Sequence, residues 1–213
     1  MHESLTDKLN QLEQKFAAMG QDMASYLEGL LQADYLTYWD YIHLETLLSL
    51  QNPKTAYPDE LIFVTYHQIT ELYFKLILHE VDQIAHIEPL TAAFFTARMG
   101  RINRYFQLLE ESFSVMITGM EREQFLKFRM ALLPSSGFQS VQFRQIEIVS
   151  TSFRHLLIGA PEEPEYIVDL YEFMYWKRGA TQLATQQKTL TLRQFDLHNG
   201  AKLIHLAVEY QAK

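Results

Sequence analysis

Two pairs of side chains, each four residues apart, carry the most chemistry in this sequence. Phe63 and His67 stand in the run Phe63-Val64-Thr65-Tyr66-His67-Gln68-Ile69-Thr70-Glu71-Leu72, and that spacing puts both on one face of a helix. An imidazole beside an aromatic plate can hydrogen-bond a ligand that stacks on the plate. On spacing alone, a core histidine bonded to a neighbouring helix is the commoner arrangement. Phe125 and Arg129 repeat the pattern within Gln124-Phe125-Leu126-Lys127-Phe128-Arg129. A guanidinium among apolar neighbours needs an anionic partner, and its planar fork suits a carboxylate gripped through two hydrogen bonds. An internal salt bridge to one of the 26 acidic residues is the competing use. If the two faces converge, they form a pocket for an aromatic amino acid.

Other constellations fall away. With no cysteine in 213 residues, disulfides, thiolate-bound zinc, iron–sulfur clusters and a cysteine nucleophile are excluded. A metal would have to rest on the eight histidines or on carboxylates. His43/Glu45 and His79/Glu80 lack helical metal-site spacing. Ser135-Ser136-Gly137 is not a hydrolase nucleophile elbow, and no glycine-rich phosphate loop or dinucleotide fingerprint occurs. His198 and His205 are two turns apart on one helical face and can ligate or merely pack. A formal charge of −8 without a Lys/Arg run argues against nucleic-acid binding. The start, MHESLTDKLNQLEQKF, lacks the apolar stretch of a secretion signal. The most apolar segment, 61–78, contains His67, Gln68, Glu71 and Lys75, so no membrane span and a cytoplasmic location are expected.

Helical periodicity dominates, with no convincing alternating strand. Apolar content of 48% and 13% aromatics suit one sizeable core, so residues 1–213 read as a single all-α domain, a helical bundle. Residues 1–20 read as an N-terminal arm, with an amphipathic helix over 5–19. One helix is expected over 25–50, ended by Gln51-Asn52-Pro53. Pro58-Asp59-Glu60 opens a long helix to about residue 87. Further helices are expected over 91–117 and 121–132. Ser136 is a plausible cap for a helix running to about 158. A linker at 161–164 precedes a helix over 166–176. The Thr/Gln-rich stretch from 178, to 191 or as far as 196, suggests an exposed excursion, and a last helix runs from about 197 to the end.

Several stretches resemble the tryptophan 2,3-dioxygenase family. Tyr38-Trp39-Asp40-Tyr41-Ile42-His43-Leu44 with Leu47-Leu48 is similar to its N-terminal Y-x-D-Y-L-x-L-x-x-LL segment. FVTYHQITELYFKLILHE, residues 63–80, is similar to its haem-pocket helix. Phe128-Arg129 with Pro134-Ser135-Ser136-Gly137-Phe138-Gln139-Ser140-Val141-Gln142-Phe143-Arg144 resembles its FR…P-x-SGFQS-x-QFR signature. The likeness runs in order over about 30–148, and three ordered motifs of this length are highly specific.

The resemblance implies a fold of the tryptophan/indoleamine 2,3-dioxygenase type with a b-type haem (iron). His67 would be the catalytic residue on the distal side, hydrogen-bonding the indole N–H. Phe63 would pack on the indole, Arg129 would bind the carboxylate, and Phe125 and Ser136 would border the substrate and haem. Tyr38, Tyr41 and Ile42 would complete a neighbouring subunit's pocket in a homotetramer. The reaction would insert O2 across the indole C2–C3 bond of L-tryptophan, giving N-formylkynurenine, as in tryptophan catabolism through the kynurenine pathway. Departures are visible as well. Phe125 stands where some members carry tyrosine, and Trp39 replaces a small residue. The G-T-G-G-x-x-G loop that follows the family's proximal haem histidine has no counterpart, and His205, in LIHLAVE, is the candidate proximal ligand. Tyr175-Trp176-Lys177-Arg178-Gly179-Ala180-Thr181 looks like an insertion seen in some bacterial relatives. A divergent or shortened bacterial-type member is therefore expected; action on another indole, or non-catalytic haem or indole binding, are the alternatives.

Overall fold

The computed structural model describes residues 4–33, 37–133, 135–161, 166–182 and 187–211. Pro134, most of the expected 161–164 linker and the last two residues of the expected C-terminal helix lie outside them. These residues are helical, with no strand among them beyond two isolated bridges, Leu157 with Met174 and Thr181 with Lys188. They form two compact units, Met1–Leu50 and Gln51–Lys213.

In the first unit, α1 (Leu5–Ala18) opens with Ser4 and Asp7 capping each other's backbone N–H groups. Asp22 caps α2 (Met23–Leu31) through the N–H groups of Ala24 and Ser25. The single helix expected over 25–50 is broken. One-turn α3 (Tyr38–Tyr41) and α4 (Leu44–Leu48) follow, separated by His43 at φ 51°. That left-handed residue turns the chain, a cost of about 1 kcal/mol or more outside glycine. Tyr38 and Tyr41 stay about 70% exposed.

In the second unit, α5 (Asp59–His86) is the spine. Its start is fixed by Glu60, whose fully buried carboxylate accepts the N–H groups of Lys54 at 2.6 Å and Thr55 at 2.7 Å, as well as the Thr55 hydroxyl. Burial pushes this carboxyl up, but the three donors outweigh it and hold the group below the usual range. The helix α6 (Ala92–Ser112), capped by Thr91, packs back along α5, and one-turn α7 (Ser114–Ile117) continues it. Next come α8 (Arg122–Phe128), a 3₁₀ turn Arg129–Leu132, and α9 (Val141–Ser150). Ile77, Ile102 and Ile146 lock α5, α6 and α9 together.

The expected cap at Ser136 belongs to a short 3₁₀ turn, Gly137–Gln139; Ser140 caps α9, which stops at Ser150 rather than near 158. The helix expected over 166–176 is divided into α10 (Ile167–Leu170), a 3₁₀ turn and α11 (Tyr175–Gly179). The chain ends in α12 (Leu190–Phe195), a π-helical turn Asp196–Gly200 and α13 (Ala201–Gln211). The 178–196 stretch is thus no simple excursion: Ala180, Leu192 and Phe195 are buried. Phe195, Leu203, Met174 and Trp176 build a second core with Ile148 and Phe153.

Candidate active site

The two chemistry-bearing pairs meet. A latch at the helix starts brings them together: the Glu121 N–H donates to Asp59 Oδ2 at 2.5 Å, and the Asp59 N–H donates to Gln124 Oε1 at 3.2 Å. One turn further along each helix, Phe63 and Phe125 face each other with ring centroids 6.2 Å apart. Fully buried Phe128 wedges edge-on between them, 5.7 Å from Phe63 and 5.5 Å from Phe125.

His67 stacks on Phe63 with centroids 4.1 Å apart. It is exposed, and its Nδ1 bonds the Phe63 carbonyl of its own helix at 2.8 Å. The bland alternative, a core histidine bonded across to another helix, is therefore not what the fold makes of it. A carbonyl can only accept, so Nδ1 carries the proton, and in the corresponding tautomer Nε2 is left as the acceptor. The ring is thus fixed to receive an N–H from a ligand lying on Phe63.

Arg129, in the 3₁₀ turn, lies over the Phe125 ring with Cζ 5.9 Å from its centroid. It forms no ion pair with any described residue, so the internal salt bridge weighed against carboxylate binding is absent among them. Phe63, His67, Phe125, Arg129 and Ser136 all line one cavity of about 710 Å³, large enough for a small-molecule ligand. Its remaining polar lining includes Gln68, Glu71 and Gln139, which the motif reading passed over as ligand-facing groups. Glu71 continues the Phe63–His67 spacing by one more turn, a signal that was available in the sequence. It is held from α9 by Gln142, whose Nε2 donates to Glu71 Oε2 at 2.8 Å and to the Glu71 carbonyl at 2.9 Å. The loop carrying Ser136 is braced by its N–H donating to Gln139 Oε1 at 3.0 Å.

Against known proteins, the tryptophan 2,3-dioxygenase family model matches residues 28–153, more than half of the chain. The chain belongs to the tryptophan 2,3-dioxygenase family. Tryptophan 2,3-dioxygenase of Ruegeria sp. (strain TM1040) is 41% identical over 119 residues, covering 55% of this chain and 42% of that protein. That of Sorangium cellulosum (strain So ce56) is 39% identical over 191 residues, 84% of this chain and 43% of the relative. That of Dictyostelium discoideum is 36% identical over 151 residues, 63% of this chain and 37% of the relative. The chain spans about half the length of the curated relatives it matches or less. The family match contains every residue named for the cavity, and the all-α dioxygenase fold expected from the motifs is the fold observed.

The remaining expected site residues sit elsewhere. Tyr38, Tyr41 and Ile42 belong to the first unit, on and just after α3. His205 is exposed on α13, beyond the family match, and does not line the cavity. Among the described residues, His67 is the only imidazole lining the cavity, and no group of three or more potential metal-binding side chains occurs. No described helix is long and apolar enough to cross a membrane.

Proposed function

We propose that this chain provides the substrate-orienting part of a tryptophan 2,3-dioxygenase, which inserts O2 across the indole C2–C3 bond of L-tryptophan to give N-formylkynurenine. The observation that carries the reading is the convergence of Phe63, His67 and Arg129 on one cavity. An indole on Phe63 directs its N–H at Nε2 of His67. Arg129, with no acid of its own among the described residues, takes the substrate carboxylate through a charge-assisted fork. Fixing both ends of the amino acid sets which edge of the ring is offered for reaction, and that orientation is the protein's share of the catalysis. Phe125 offers a hydrophobic edge beside the carboxylate, and Ser136 a hydroxyl at the loop side.

Haem b is the cofactor that this reading brings, and it would supply the oxygen chemistry. The described residues fit it on one side only. His67 suits a distal position, but among the described residues no second imidazole lines the cavity. His205 remains the proposed proximal ligand. A homotetramer and a cytoplasmic location go with the family reading. Exposed Leu61, Ile69, Leu72 and Leu76 along α5, together with exposed Tyr38 and Tyr41, support contacts with another copy. The family match crosses the boundary between the two units, which supports reading residues 1–213 as one functional domain.

The test is direct. Protein purified with added haem is reduced without air, then given O2 and L-tryptophan while the Soret band and N-formylkynurenine are followed. Product formation is expected. A haem spectrum without product would leave this chain a binder rather than a dioxygenase, and no haem spectrum would overturn the cofactor assignment. His205→Ala should abolish haem retention; retention at the wild-type level rejects it as the ligand.

A further inference from the structure

A second hollow of about 480 Å³ shares Phe63, His67 and Phe125 with the main cavity and is otherwise lined from residues 113–122, around α7 and the start of α8. Its other lining differs in kind. Phe113, Met116, Ile117 and Met120 make it apolar, and Arg122 is its one charged lining residue. Arg122 and Phe125, at i and i+3, share one side of α8, and Arg129, in the 3₁₀ turn that follows, lies over the same Phe125 ring. Arg129 serves the polar cavity, and Arg122 serves the apolar hollow. Like Arg129, Arg122 forms no ion pair with a described residue, although Glu121 and Glu123 flank it in sequence. The Glu121 carboxylate is occupied by the Gln124 amide at 2.9 Å.

An apolar chamber with a single available cation fits a ligand of matching design: a hydrophobic body with one anionic end. We propose that this hollow is a second ligand site that takes a small apolar monocarboxylate, its acid on Arg122 and its body among Met116, Ile117 and Met120. The two thioethers adapt to bodies of different shape. An occupant touches Phe63, His67 and Phe125, which also line the Arg129 cavity, so its binding is coupled to whatever that cavity holds. This site needs neither haem nor turnover, and it stands or falls separately from the dioxygenase reading.

The experiment is calorimetric titration of the full-length Arg129→Leu protein with 4-phenylbutyrate, a probe lacking both indole and amine; this variant removes the competing cation. Saturable binding is expected. Adding Arg122→Gln should weaken it by about tenfold or more, the cost of one charge-assisted contact. Adding Met120→Trp instead should remove it by filling the hollow, with unchanged circular dichroism showing that the fold is kept. No binding at millimolar probe, or binding that Arg122→Gln leaves unaltered, would overturn the proposal.

Discussion

The cations around the α5–α8 cavity and those between α11 and α12 are held in opposite ways. Arg129 and Arg122 lie at exposed positions without an acid among the described residues, and Arg129 rests on an aromatic face. Lys177 is buried, 3.6 Å from the Tyr171 ring centroid, and is paired with Asp196 at 3.1 Å and Glu172 at 3.3 Å. Lys188 closes the group, 2.6 Å from Glu172 and 3.1 Å from Asp196. Burial lowers the Lys177 ammonium's pKa, and the neighbouring carboxylates only partly offset this. Burial and Asp196 push the Tyr171 hydroxyl up. A charge that must stay buried is neutralised within the fold, whereas a charge left unpaired at a cavity rim is available to a ligand. The first arrangement fixes the C-terminal helices together; the second leaves binding capacity unspent.

This contrast can be broken by substitution. Asp196→Ala should cost the most, about 3 kcal/mol of stability, because Lys177 loses its closer carboxylate while still buried. Adding Lys177→Met should recover part of that loss, as seen in a thermal melt; no recovery would mean that the cluster is not held by charge pairing. Next, Glu60→Gln should cost about 1–3 kcal/mol by leaving buried N–H donors poorly matched. The native Glu60 pKa is depressed below its ordinary 4.5, so its contribution is complete above that value and is lost as the pH falls through the lower native one. The glutamine variant should therefore show a shallower acid limb of stability, and an unchanged limb would reject the depressed carboxylate. Arg129→Leu should reverse the pattern. Stability should move by less than about 0.5 kcal/mol, while the dissociation constant for L-tryptophan rises about tenfold or more. A large loss of stability would show that Arg129 holds the fold.

Much of this was legible in the sequence, for identifiable reasons. Helix α5 was readable because Pro58, Asp59 and Glu60 mark its start and a 3.6-residue period runs through it. The pairs Phe63/His67 and Phe125/Arg129 were readable because an i, i+4 spacing fixes a shared face once the helix exists. The break at His43 was not, because the flanking segments keep helical composition and no glycine or proline marks the left-handed residue. Nor was the burial of Leu192 and Phe195, since their Thr/Gln surroundings look like surface until the α12–α13 packing claims them. Lys177 gave no sign either, because its partner Asp196 lies 19 residues away.

The sequence by itself determined the family, the helical class and which side chains share a helix face, since motif order and helical spacing are properties of the chain. Only the tertiary structure decided that the two pairs converge, that His67 is fixed by its own helix with Nε2 offered outward, and that Arg129 lacks an internal acid among the described residues. Those depend on the Asp59–Glu121–Gln124 latch and the Phe128 wedge, contacts between residues more than sixty positions apart whose pairing no local pattern encodes.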